Sequence, residues 1–585
     1  VEEAMHDLVI KNGTVYDGLG GTPFEGDIAI DNGVITEVGK VSDGGREEID
    51  ARGQIVTPGF VDIHTHYDGQ VTWDPYLQPS TFHGVTTAVL GNCGVGFAPC
   101  KTERHDWLIG LMEGVEDIPG TALVEGIKWN WESFPDYMDA VEASPLALDV
   151  GLQVPHAALR AYVMGERAAK LEPAMPDDIE AMAKLAAESI EAGALGFSTS
   201  RTVKHKDRNG ANTPTLKAEE DELHGIARAI GATGKGVLQL IADFEDVDKE
   251  FAMIRGMSEV SGRPLSLTIE QDDRWPHRWE RVLELIAEAN ADGVTMRGQV
   301  PPRPTGVLLG LTSSLNPFIM HQTFRQIWGA PVNEQVKALN DYEFRRKLLA
   351  ETPEYPVGEI VTMLCTDYHK MFRLGDPANY EPAPEDSAAA VAAREGKEPR
   401  EVLLDWMLEK GGNALMYFPL MNYHCGSLDD VYKMMTHPNT AFGLGDGGAH
   451  CGILCDASFP STILAHWGRD RTRGPKLPLE WLIAKQTRAN AEVVGLHDRG
   501  ALLPGLKADV NVIDFDRLTL HSPEIVHDLP AGGKRLVQRA DGYTASLVSG
   551  QVAFREGEPT GALNGKMVRG AQGLPTGVTL TRAAD

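Results

Sequence analysis

The sequence predicts an α/β fold: a (β/α)8 TIM barrel carrying a small β-domain built from both chain ends. Three observations lead there. Short alternating strands with turn signals fill residues 7–49. Eight apolar, strand-like segments then alternate with helical patterns. Strand patterns return near the C-terminus, and neither end alone has enough strands to cover its apolar face. The expected divisions are 1–57 for the N-terminal part of the β-domain, 58–497 for the barrel and 498–585 for the C-terminal part.

In chain order, 8–16 and 27–38 each read as a hairpin around an Asn-Gly pair, Asn12-Gly13 and Asn32-Gly33. Both residue types tolerate positive φ in a two-residue turn. The first barrel strand ends at His64 and His66, after the apolar run 55–63. The others are expected at 86–92, 147–154, 194–199, 236–241, 264–269, 293–298 and 440–445. Helical patterns cover 177–192 and 280–291. A long insertion, about 300–438, separates the seventh and eighth strands. An insertion on a βα loop lands over the barrel mouth, so it reads as a lid or pocket wall, or equally as an inert elaboration or oligomer contact. At the C-terminus, 505–514 and 545–554 each read as one strand.

Composition narrows the function classes. The net charge of -30 argues against nucleic acid or an anionic membrane as partner, because phosphate binding needs clustered Lys and Arg. No apolar run reaches membrane-span length. The start, Val1 to Asp7, has neither a basic region nor an apolar core, so no signal peptide is visible. Six cysteines in 585 residues are not a disulfide framework; they imply a reducing, cytoplasmic setting.

Chemistry concentrates in Pro58-Gly59-Phe60-Val61-Asp62-Ile63-His64-Thr65-His66-Tyr67-Asp68. Residues two apart on a strand share a side, so His64 and His66 present two imidazoles together, as one metal ion requires. On spacing alone, a strand end with two surface histidines fits equally well. This segment resembles the first-strand signature of the amidohydrolase superfamily. The runs Gly84 to Val95, Pro155 to Gly165 and Gly193 to Thr199 resemble its N-acyl-D-amino-acid deacylase branch, and Gly445 to His450 resembles the segment carrying the superfamily's last-strand aspartate.

The resemblance implies a barrel with a β-sandwich formed by the chain ends, and a divalent metal cofactor, most simply zinc, as one or two ions. It implies His64, His66 and Asp446 as metal ligands, with Asp446 also the catalytic proton shuttle. Cys93 would be a further ligand; the plain alternative is a buried, small apolar side chain. His156 and Arg160 lie in a family motif and, with Arg201, are candidates for holding substrate. A structural role fits His156 and Arg160 as well, and Arg201 as an ordinary solvated side chain. Lys204, Lys206 and Arg297 are other cations available for a substrate carboxylate. His450 lines the pocket or caps a following helix.

One departure stands out. The deacylase branch has a histidine at the end of strand five and another at strand six. Here Gln239 and Thr268 occupy those places, and neither is a usual zinc ligand. His224 falls on a helical pattern and His277 in a loop, while Glu270 or Asp243 could supply oxygen instead. The expectation is a metal-dependent hydrolase cleaving an amide C–N bond of a small molecule, with homo-oligomers possible. The alternatives are a hydrolase of cyclic amides or esters, and a catalytically silent barrel used for binding.

Overall fold

The computed structural model describes residues 5–356 and 360–580. Positions 1–4 of the start read for a targeting signal, 357–359 of the insertion and 581–585 of the C-terminal part lie outside them.

Eight parallel strands form the barrel in chain order: Phe60–Asp62, Val85–Leu90, Asp149–Pro155, Gly196–Arg201, Val237–Ala242, Leu265–Thr268, Met296–Val300 and Thr440–Phe442. Each overlaps its expected segment. Nearly all their residues are buried, because helices cover one face and the barrel interior the other, and the interior includes polar side chains such as Ser198, Gln239 and Gln299. Helix Pro176–Glu191 shows the logic: Pro at its start and Asp177 and Asp178 in its first turn suit a helix N-terminus. Met182, Ala186 and Ile190, four apart, bury one stripe against the barrel.

Strands one and eight close the barrel through few bonds, and these lie at the site. Asp446 N–H donates to His64 O at 3.0 Å, and His66 N–H to Gly447 O at 2.7 Å. Nearer the strands' bodies, the Asn490 side-chain amide donates to Val61 O at 2.9 Å and Phe442 O at 3.0 Å.

The chain ends share one sheet. Strand Ile55–Pro58 pairs with His6–Val15 on one side and with Val510–Ile513 on the other. Leu8, Ile28 and Val56 from one end pack with Val510, Val512 and Leu547 from the other in one core. Two local expectations are corrected. Asn12-Gly13 is a bulge inside strand His6–Val15, with Asn12 at φ +61°, whereas Asn32-Gly33 does turn between Phe24–Asp31 and Val34–Gly39. Residues 545–554 are not one strand: Ser549 and Gly550, both at positive φ, fold them into the hairpin of Tyr543–Val548 and Gln551–Arg555.

The insertion has its own three-stranded sheet, Gly306–Leu309, Met416–Pro419 and Phe372–Arg373, and its own core around Phe318, Phe324, Trp406 and Phe418. Asn422 Oδ1 accepts from Gln271 N–H at 2.7 Å, tying it to the loop after strand six. No helix among the described residues is long and apolar enough to cross a membrane.

Candidate metal centre

His64 and His66 leave the end of strand one, and both are buried. Cys93 follows strand two in a turn that glycine permits: a Cβ on Gly91, at φ +77°, would lie 2.1 Å from Gln153 O. Asn92 braces the turn, donating to Val89 O at 2.8 Å and Thr65 O at 3.2 Å. Asp446 follows strand eight. Cys93 and Asp446 sit at φ +53° and +45°, a region L-residues enter only when their surroundings hold them there.

The ligand atoms of His64, His66 and Cys93 all lie within 4.8 Å of one another. Cys93 Sγ is 3.2 Å from His64 Nε2. Asp446 Oδ1 is 3.4 Å from His64 Nε2 and 3.6 Å from His66 Nε2. Ligands of a tetrahedral zinc are about 3.3–3.6 Å apart, so the spacing fits a shared cation.

The electrostatics agree. Asp446 Oδ1 is buried without a hydrogen-bond partner. Burial pushes the Asp446 carboxyl well above its usual range, and the charges that add to this are all carboxylates: Glu116, Asp456, Glu270 and Asp62. Burial also raises Asp62 and Asp68 to about 7. So many buried acids call for a cation, and a divalent ion would supply it. Burial lowers His64 to about 4, which keeps it neutral, as a ligand must be. Burial, with Asp446 next, raises the Cys93 thiol well above its ordinary value; a metal would displace its proton outright.

Two further residues flank the rings. Gln299 Oε1 accepts from His64 Nδ1 at 2.6 Å, and Gln299 Nε2 donates to Ser266 Oγ at 2.9 Å. Glu116 Oε1 lies 3.4 Å from His66 Nδ1, and its other oxygen 3.7 Å from His450 Nε2. The Gln299 bond turns His64 Nε2 towards the shared position, whereas His66 Nδ1 makes no hydrogen bond and Glu116 stands beside it at ion-pair distance. Burial, then the charge of Asp68, raises Glu116 to about 8. Sequence reasoning missed both. Gln299 had a usable signal, a polar residue at the end of a buried strand; Glu116 ends helix His105–Glu116 with no motif around it.

Residues 47–554 match the Amidohydrolase family. The chain belongs to that family. It is 26% identical over 570 residues to the D-aminoacylase of Alcaligenes xylosoxydans xylosoxydans, covering 96% of this chain and 97% of the relative. A solved D-aminoacylase, studied for the role of its binuclear metal centre, superposes with TM-score 0.64 at 24% identity, covering 96% of this chain and 100% of the other. N-acyl-D-glutamate deacylase from Bordetella bronchiseptica, solved with zinc and a phosphonate mimic of the tetrahedral intermediate, gives 0.62 at 22% identity over 97% and 100%. These two structures share this chain's fold.

In this amidohydrolase, His156, Arg160 and Arg201 are not brought to the metal ligands. His156 Nε2 and Arg160 Nε meet Glu222 Oε1 at 3.0 and 2.7 Å, and His156 Nδ1 meets Thr199 Oγ1 at 2.8 Å. Arg160 also donates to Pro214 O and Glu172 O at 3.0 and 2.7 Å. Arg201 Nη1 donates to Ala218 O at 2.5 Å. Thr199 and Arg201 alternate along strand four with Ser198, whose hydroxyl receives Gly94 N–H inside the barrel at 2.8 Å. The three side chains therefore lie on the wall's outer face, under the helices.

Gln239 and Thr268 do occupy strands five and six, and both are buried. His224, on helix Glu220–Ala232, bonds Met253 O, and His277 is paired with Glu280 outside the mouth. Asp243 accepts from Thr202 Oγ1 at 2.6 Å and Val203 N–H at 2.8 Å, and Glu270 from Thr305 Oγ1 at 2.5 Å. Arg297 turns to Asn290, on a helix outside the barrel. His450 faces Glu116 instead of capping a helix. His205, missed as a candidate, bonds Ser200 Oγ through Nδ1 at 2.9 Å, and burial, then the charges of His450, Lys204 and His64, lower it to about 3.

Proposed function

We propose that this amidohydrolase cleaves the amide bond of N-acyl-D-amino acids, using one divalent ion, most simply zinc, held by His64, His66, Cys93 and Asp446. The observation that carries the reading is the approach of the two Nε2 atoms, the Cys93 sulfur and the Asp446 oxygen at metal-ligand spacing. The relatives named as D-aminoacylase and N-acyl-D-glutamate deacylase support the substrate class.

A divalent ion held by these residues would lower the pKa of water towards about 7 and polarise a carbonyl. The chain's residues then divide the work. Asp446 accepts the proton of the attacking water. The water oxygen bonds to the carbonyl carbon, and the π pair moves to the carbonyl oxygen. On collapse the C–N bond breaks, and Asp446 gives its proton to the leaving nitrogen, which departs poorly as an anion. Gln299 holds the His64 imidazole in register throughout, and Glu116 sets the charge beside His66.

For the substrate carboxylate we propose Lys204, which lines the same mouth cavity as Thr268, Glu270 and Met421 and pairs only loosely with Asp272, at 3.9 Å. His156, Arg160 and Arg201 act instead as internal struts. Their distance from the mouth favours a second reading, a cyclic amide with no free carboxylate. A screen of zinc-loaded protein against N-acyl-D-amino acids, their L-isomers, lactams and cyclic imides separates the two. The first reading expects turnover of the acyl-D series and a raised KM in Lys204→Ala. Turnover of cyclic amides alone would replace it with the second.

A further inference from the structure

The wall made by strands five and six presents hydrogen-bond donors without acceptors. Gln239, 1% exposed, accepts Cys93 N–H on Oε1 at 2.9 Å. That N–H needs an acceptor, so the amide's orientation is set by the backbone. Its Nε2 is then turned away, buried and without a partner. Cys93 itself places its sulfur 3.2 Å from His64 Nε2, so this free N–H2 group lies one residue from the candidate ligand set.

The neighbouring strand repeats the pattern. Gln239 is level with Ser266, which Gln299 engages beneath His64. Thr268, two residues further towards the mouth and on the same side, is 5% exposed, and its Oγ1 is also without a partner. A buried donor left unmade costs about 1–3 kcal/mol, so two of them on the inner side of neighbouring strands point to an acceptor that arrives from outside. An amide N–H2 group does not ligate a cation. It suits an oxygen that gains negative charge.

We propose that Gln239 Nε2, assisted by Thr268 Oγ, donates to the substrate's carbonyl oxygen as the tetrahedral intermediate forms. The proposal rests on the deacylase reading above. When the water oxygen bonds to the carbonyl carbon, the displaced π pair sits on the oxygen facing these donors. When the C–N bond breaks, the pair returns to the carbonyl and the hydrogen bonds relax. Preorganised donors of this kind act on the transition state more than on bound substrate.

The test uses zinc-loaded full-length protein and methylphosphonyl derivatives of D-glutamate, D-aspartate and D-methionine, whose tetrahedral phosphorus mimics the attacked carbon. Affinity is measured by calorimetry and metal content by elemental analysis. Gln239→Glu keeps the chain length and an acceptor for Cys93 N–H but removes the donor. Thr268→Val removes a donor without adding charge. The expected result is a roughly 100-fold loss of phosphonate affinity in Gln239→Glu and roughly tenfold in Thr268→Val. Metal content should not fall, and kcat should drop more than KM changes. Phosphonate affinities equal to the parent's in both variants would overturn the proposal alone. Failure of the unaltered protein to bind any of the three would overturn the deacylase reading and the proposal with it.

Discussion

Glu222→Gln separates the internal strut from the catalytic site. Glu222 is 1% exposed and receives His156 and Arg160 between strand four and helix Glu220–Ala232. Burial alone would raise its carboxyl, but the hydrogen bonds and charges of His156 and Arg160 outweigh that and hold it at about 2 against an ordinary 4.5. At about 1.4 kcal/mol per pH unit, that difference corresponds to about 3 kcal/mol. Breaking a buried pair on one side typically costs about 3–5 kcal/mol, which agrees. For a chain this long, about 2 °C per kcal/mol gives a thermal midpoint lowered by about 6 °C. Because the folded carboxyl is depressed, its stabilisation is fully present above pH 4.5 and is lost as pH falls through about 2. The variant's deficit should therefore shrink to roughly half at pH 3 without vanishing there. Calorimetric scans at pH 7 and pH 3, with kcat and KM at 25 °C, check this. An unchanged midpoint with KM raised roughly tenfold or more would refute the strut and return His156 and Arg160 to the substrate.

The site gives further expectations. Asp446→Asn should lose at least about 1,000-fold in kcat, since it removes the proton carrier, while circular dichroism stays unchanged; near-normal turnover would sink the mechanism. Gln299→Leu and Glu116→Gln should each weaken metal binding by about 10- to 100-fold, read by competition with a chromophoric chelator. Cys93→Ser should likewise raise the metal dissociation constant, and a variant with parental metal affinity would make Cys93 a packing residue. Chelation of the purified protein should abolish turnover, with recovery on adding zinc.

The barrel was legible because short strand-like segments recur between helical patterns, and because helices such as Pro176–Glu191 carry a clean four-residue stripe. Asn-Gly pairs were ambiguous for a local reason: both a turn and a bulge need positive φ, and only the pairing partner of strand His6–Val15 decides between them. His64, His66, Cys93 and Asp446 could be named because each stands at the end of a strand in a recognisable motif. Glu116 could not, since a helix-terminal carboxylate looks solvated until the chain folds it under His66. His156 and Arg160 lie in a motif too, yet strand alternation sends the partner Thr199 outward, and a motif alone does not say which face it serves.

The most direct test is metal stoichiometry and affinity, measured on the full-length protein and on His64→Ala prepared without chelator. One tightly held divalent ion per chain is expected, lost in His64→Ala. Two tight ions would show that the wall of Gln239 and Thr268 accommodates a cation after all. No ion after zinc loading would contradict the central claim and leave the silent barrel as the better description.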